Sequence, residues 1–183
     1  MKYRFFFLFP FIFLPLILLG QSPDMITDHY LKALNEPGAI LFTPPENWRV
    51  VDPTTLPKTV KAMVVGKGKY ELPPSINLGM HPYEGSLKDY LKMVKATNEA
   101  ENIEWKDLGT IKTVEGLIAS LSQAELKTQW GDLRELQVIL KKDDMIYILT
   151  AAAIKEEFPQ FYNTFFSAMK SLRFNRDTVL TQE

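Results

Sequence analysis

Residues able to make and break bonds are sparse in this chain. It has two histidines, His29 and His81, and no cysteine. Zero cysteine excludes disulfides, thiolate zinc sites and cysteine nucleophiles. Zinc takes three or four protein ligands, often His or Cys, so two histidines far apart in sequence do not make such a site. A hydrolase built on His81 would have Glu84 or Asp89 as the orienting carboxylate. No GxSxG elbow supplies the serine. Asp143-Asp144 and Glu156-Glu157 are adjacent acidic pairs. Calcium loops need alternating ligands around a central glycine. These pairs therefore read as a turn and as a helix N-terminus, where negative charge complements the dipole. Gly66-Lys67-Gly68-Lys69 invites a phosphate-loop reading. That loop needs GxxxxGK[ST] ahead of a helix, and no helix follows, so a solvated hairpin turn is expected. The expectation is a non-enzyme with no cofactor and no metal.

What remains is a group suited to contact: Tyr70, Ser75, Asn77, His81 and Tyr83. In SINLGMH (75–81), a period of two puts Ile76, Leu78 and Met80 on an inward face. Ser75, Asn77 and His81 share the other. The plain reading of His81 is a hydrogen-bonded surface cluster; the sharper one is contact with a partner or small ligand. Prolines on both sides of this strand suit a sheet edge. His29 reads as a boundary residue of the first helix. Trp48 reads as a plug at the edge of the core, and Lys88, Lys92 and Lys95 as a solvated helix face.

The elements that must position these residues centre on 133–174. LRELQVILK (133–141) alternates, with Leu136, Val138 and Leu140 on one face and Glu135, Gln137 and Lys141 mostly on the other. Lys142-Asp143-Asp144 is a polar turn. DMIYILTAAA (144–153) is apolar on both faces and predicts a central strand covered on both sides. From Lys155 to Leu172, the residues Phe158, Phe161, Tyr162, Phe165, Phe166, Met169 and Leu172 recur at three- and four-residue spacing, a wide apolar helical stripe. Pro159 fits only its first turn.

Upstream, Ser22-Pro23 caps a helix with Ile26, Tyr30, Ala33 and Leu34 on one face, stopped at 35–38. Residues 39–48 hold a short strand, a double proline and Trp48. Residues 50–58 read as loop and 60–69 as a strand with its turn. Ser86 caps a second helix, with Asp89 three residues on and Leu87, Tyr90, Leu91 and Val94 as its buried stripe. An extended segment (102–116) follows, anchored by Ile103 and Trp105, and LIASLSQAEL (117–126) is another strand. Strands joined by short turns predict a mainly antiparallel sheet with helices packed on it.

The chain has 183 residues, 46% of them hydrophobic, enough for one packed domain over 22–174 with a flexible tail at 175–183. The formal net charge is −1. No basic excess marks a nucleic-acid binder, so none is expected as a partner. Lys2 and Arg4 precede FFFLFPFIFLPLILL (5–19), the layout of a secretory signal over residues 1–21. This run of 15 apolar residues is shorter than the roughly 20 a spanning helix needs. A cleaved export signal is favoured over an uncleaved membrane anchor, and over a cytoplasmic protein with a misleading N-terminus. Gln21 stands where a lipoprotein would carry its lipidated cysteine, so lipidation there is impossible.

The succession of FTPPENW (42–48), SLKDYLKMVK (86–95), the Gly116 turn into LIASLSQAEL, and YILTAAAIKEEFPQFYNTFFSAMKSLRF (147–174) resembles the PsbP/DcrB-like superfamily. The resemblance spans roughly 38–174, and its ending, Ser171-Leu172-Arg173-Phe174, carries most of the weight. It implies an α+β fold: an antiparallel sheet of about six or seven strands with helices packed on both faces, an αβα sandwich. Members resembling this chain are extrinsic photosystem subunits, bacterial envelope lipoproteins and a Ran-binding nuclear protein, and they share no reaction. The implied role is an exported accessory or binding protein, periplasmic or tethered to the inner membrane. Its partner is another envelope protein, with membrane association through residues 1–20. The alternative is a carrier of a small apolar ligand or lipid between the sheet and the C-terminal helix.

Overall fold

The computed structural model describes residues 39–175. The leader, the helix expected over 22–34 and the tail beyond Asn175 lie outside the described residues. Nine strands and two α-helices follow in the order β1 (Ile40–Leu41), β2 (Arg49–Val50), β3 (Val60–Val65), β4 (Ser75–Pro82), α1 (Leu87–Ala100), β5 (Glu104–Lys112), β6 (Ile118–Thr128), β7 (Gly131–Lys142), β8 (Met145–Ile154), α2 (Phe158–Lys170) and β9 (Arg173–Phe174). Seven strands form one antiparallel sheet in the order β2-β3-β4-β8-β7-β6-β5, and β1 pairs with β9 in a two-stranded sheet.

The apolar segment expected to be central is β8, fourth of the seven strands. It is hydrogen-bonded to β4 on one side and β7 on the other. Its alternate residues serve two layers. Tyr147, Leu149, Ala151 and Ala153 join the core under α2, where Phe158, Phe165, Met169 and Leu172 are fully buried against Val64, Ile76 and Val138. Ile146 faces the other way, onto Tyr90 and Val94 of α1. Helices therefore lie on both faces, and the fold is the expected α+β sandwich.

Local chemistry explains the helix ends. The Ser86 hydroxyl accepts the Asp89 N–H at 3.1 Å and donates to the Asp89 carboxylate at 2.7 Å, closing the first turn of α1. Pro159 sits in the first turn of α2, where its missing N–H removes no helical bond. The Ser171 hydroxyl donates to the Ala168 carbonyl at 2.6 Å and accepts the Thr43 N–H at 2.7 Å. That pair of bonds stitches the end of α2 to the chain after β1. Trp48 plugs the edge of the core, edge-on to Phe161 and Phe165.

Three expectations need correction. The first concerns β4, which is not an edge strand: it pairs with both β3 and β8. Pro73 and Pro74 precede its ladder and Pro82 is its last residue, so no proline removes an interior hydrogen bond. Second, α2 is shorter than 155–172, and its stripe is narrower than the apolar spacing suggests. Tyr162 is 43% exposed and stacks on Phe166, which is itself packed against the edge of the core. Third, Glu135 is 4% exposed rather than on a solvent face. It shares its side of β7 with Leu133 and Ile139, both buried, so that side is also covered.

Candidate functional site

The site is laid out by register. On the α1 face of the sheet, Asn77 lies opposite Thr150, Thr150 opposite Gln137, and Gln137 opposite Ser122. The next row in the same direction runs Ser75, Ala152, Glu135, Ala124 and Trp105. Directly opposed side chains have Cβ atoms about 5 Å apart. Ser75 and Asn77 are thus brought together with Thr150, Gln137, Glu135 and Ser122 in a polar patch of four strands. Gln137 donates its Nε2–H to Glu135 Oε2 at 3.2 Å. Burial pushes the Glu135 carboxyl up to about 7, against the smaller opposing pull of that amide hydrogen bond. Near neutral pH this side chain can therefore act as either donor or acceptor.

His81 occupies the far end of β4, opposite Ile146. Six residues separate it from Ser75, which places its ring about 20 Å along the strand from the Glu135 row. The two groups cannot share a proton directly. His81 instead meets Tyr90 of α1, ring centroids 5.3 Å apart, and Tyr83 meets Tyr90 edge-on at 5.1 Å. Burial lowers the His81 pKa, which keeps the ring neutral at pH 7. The Tyr90 hydroxyl is buried with no hydrogen-bond partner among the described residues, and burial, with Tyr83 nearby, raises its pKa. The Tyr83 N–H donates to the Asp144 carbonyl at 2.8 Å, pinning this corner to the β7–β8 turn. Gly85 lets the Tyr83 ring fold over it: a Cβ there would lie 2.7 Å from the Tyr83 hydroxyl. His81 and Tyr83 are half-buried rather than fully exposed.

Tyr70 stands apart, 42% exposed in the 66–74 loop at the other end of the sheet. This loop is longer than the hairpin turn expected from Gly66–Lys69, and its glycines have a structural task. Gly66 packs under Trp48, and a Cβ at Gly68 would lie 2.5 Å from Glu157 Oε1. Glu157 is fully buried and its Oε2 accepts the Lys69 N–H at 2.9 Å. A carboxylate occupies the place where a phosphate loop would offer its amide to phosphate.

Of the five residues singled out in the sequence, Ser75 and Asn77 lie in the polar patch. His81 and Tyr83 lie in the aromatic corner, and Tyr70 lies with neither. The sequence spacing puts Glu135 and Gln137 on a polar strand face and Tyr90 in a buried stripe, and marks neither these nor Thr150 and Ser122 as parts of a site. The available signal was Leu133 and Ile139 flanking Glu135 and Gln137 at a spacing of two. Among the described residues, no group of three or more His, Asp or Glu is placed to hold a metal ion. No described helix is long and apolar enough to cross a membrane.

No family model matches the sequence, and no curated protein sequence matches it. Solved structures do. LpqN, involved in cell envelope biogenesis of Mycobacterium tuberculosis, superposes with a TM-score of 0.53 at 14% identity, covering 77% of this chain and 87% of that one. PA94 of Pseudomonas aeruginosa, a protein of unknown function, gives 0.51 at 16% identity, covering 77% and 100%. A cyanobacterial PsbP from Synechocystis sp. PCC 6803 gives 0.47 at 13% identity, covering 74% and 86%. At these identities the likeness is one of fold, carried by LpqN and PA94.

Proposed function

We propose that this chain, with its PsbP-like sandwich, is a non-enzymatic accessory or binding protein of the cell envelope that acts through protein–protein contact. It is exported, and either periplasmic or tethered to the inner membrane through residues 1–20. The observation that carries this reading is the separation of its polar groups. The neutral His81 ring is packed in an aromatic corner with Tyr83 and Tyr90, about 20 Å from the Glu135 carboxyl. Proton transfer needs acid and base within hydrogen-bond reach of one substrate. Contact needs aromatic groups at a surface, and Tyr is a residue type enriched at interfaces. The envelope role described for LpqN supports the same reading.

The contact surface is the end of β4 with the 83–86 corner. A pull-down from native membranes, comparing the full chain with its His81→Ala, Tyr83→Ala double variant, tests it. The variant is expected to lose the partner. An unchanged set of captured proteins would remove this surface from consideration. The carrier alternative gains no support at the sheet–α2 interface, where Phe158, Phe165, Met169 and Leu172 are fully buried in one cluster with the sheet.

A further inference from the structure

The polar rows on the α1 face of the sheet separate two apolar clusters. On one side, Tyr90 and Val94 of α1 lie on Ile139 and Ile146. On the other, Leu72 and the half-buried Trp130 pack on Leu133 and Ile154. The helix and these loops stand as walls, and the trough between them is floored by side chains of β4, β8, β7 and β6. Ser75, Asn77, Thr150 and Gln137 are half-buried there, while Ser122 and Glu135 are buried at 1% and 4% exposure. Among the described residues, the Ser75, Asn77, Ser122 and Thr150 side chains make no hydrogen bond to protein. Glu135 has one, from Gln137 to Oε2 at 3.2 Å, and its Oε1 has none. At the β5 end of the Glu135 row, the Trp105 indole N–H is buried without a partner among the described residues.

Buried polar groups in folded proteins find partners in almost every case. An apolar floor would have joined the two clusters and left no such group to satisfy. The missing partners are those that a ligand, or the water it displaces, supplies. Backbone pairing cannot serve here, since all four strands are hydrogen-bonded on both sides. Recognition falls to side chains: two primary amides, three hydroxyls and one carboxyl. Neither row carries a lysine or arginine, so an anion finds no countercharge in it. An apolar ligand would leave the same groups buried and unpaired. The chemistry that answers amides and hydroxyls side by side is a neutral ligand whose own hydroxyls each donate and accept. Asn77 to Ser122 covers three strand spacings, about 14 Å, which suits several linked rings rather than one. Trp130 adds a flat apolar face at the wall, against which the C–H face of a sugar ring can lie.

We propose that this trough is a saccharide-binding site, with a neutral oligosaccharide as its ligand. The Asn77 and Gln137 amides pair with neighbouring ring hydroxyls, and the Thr150 and Ser75 hydroxyls bond between them. Glu135, at the floor, accepts a hydroxyl proton or donates its own. The site stands apart from the His81 and Tyr83 corner and does not depend on the protein contact proposed there.

The test uses the full chain in micelles of a detergent without a sugar headgroup. The side-chain amide signals of Asn77 and Gln137 are followed by NMR during titration with maltotriose, with the linear trimer of N-acetylglucosamine, and with inorganic phosphate as control. Both amide signals are expected to move with a trisaccharide, saturating in the millimolar range, and to stay still with phosphate. Asn77→Ala with Thr150→Val is expected to weaken binding about tenfold, the loss of one or two neutral hydrogen bonds. Thr150→Val alone, which keeps the side-chain shape, is expected to weaken it severalfold, and Tyr83→Ala to bind as the parent does. A response to the N-acetylglucosamine trimer with co-sedimentation on purified peptidoglycan supports the proposal with an envelope glycan as the source. A response to maltotriose without co-sedimentation supports it with a free oligosaccharide. Asn77 and Gln137 signals that neither trisaccharide moves would overturn the proposal. So would movement with phosphate equal to that with sugar, or an affinity unchanged in both Thr150→Val variants.

Discussion

Glutamine at position 135 would retain the shape of the buried side chain and abolish its ionisation. Glu135 has a folded-state pKa of about 7, against 4.5 for the free side chain, because burial disfavours the carboxylate. In the unfolded chain the carboxyl loses its proton near 4.5; in the folded protein it keeps it until about 7. Between those values the folded state binds more protons, so stability falls as pH rises. Below the window both states are protonated and nothing is lost. Above it the full cost is reached, about 3 kcal/mol at 1.36 kcal/mol per pH unit. Glutamine mimics the protonated acid and still accepts the hydrogen bond from Gln137. Urea unfolding of Glu135→Gln and the parent, from pH 4 to pH 8, should therefore give equal stabilities near pH 4 and a variant more stable by about 3 kcal/mol at pH 8. The Glu125 carboxyl, held below its usual range by Lys155 and then Arg134, titrates on the acid side of this window and does not mask it. Parallel pH profiles for the two proteins, or a variant less stable at pH 8, would refute the reasoning that burial dominates at this site.

Phe165→Ala should cost about 3–5 kcal/mol in the same assay, since it empties a fully buried ring position between α2 and the sheet. Tyr90→Phe should be neutral or stabilising by up to about 1 kcal/mol, because it removes a buried hydroxyl with no partner among the described residues. Gly68→Ala should free the 66–74 loop by forcing it off Glu157, with a loss of about 1–3 kcal/mol and new protease cleavage near Tyr70, read by limited proteolysis.

Much of the architecture was legible because local periodicity and burial agree there. β8 reads apolar on both faces and is the central strand; Ser86 with Asp89 marks the start of α1; Pro159 marks the first turn of α2. The errors share one origin, which is that cover and pairing are long-range. The prolines around β4 are compatible with an edge, yet β3 and β8 flank it because the prolines fall outside its ladder. Glu135 reads as solvent-facing until the partners of β7 place it between Ala124 and Ala152. Tyr162 fits a helical stripe but stays exposed, while Phe161 and Phe166 of the same stripe pack against the core under α2. The polar patch itself is assembled from four strands, and no single stretch of sequence contains it.

The central claim is that the corner at the end of β4 meets another envelope protein and performs no chemistry of its own. A photo-crosslinking amino acid at position 83, in the full chain in its native membranes, tests this most directly. The account predicts one discrete protein adduct at 83, lost when His81→Ala is added and absent when the crosslinker is moved to 129. No adduct at 83, or the same adducts from 83 and 129, would contradict it.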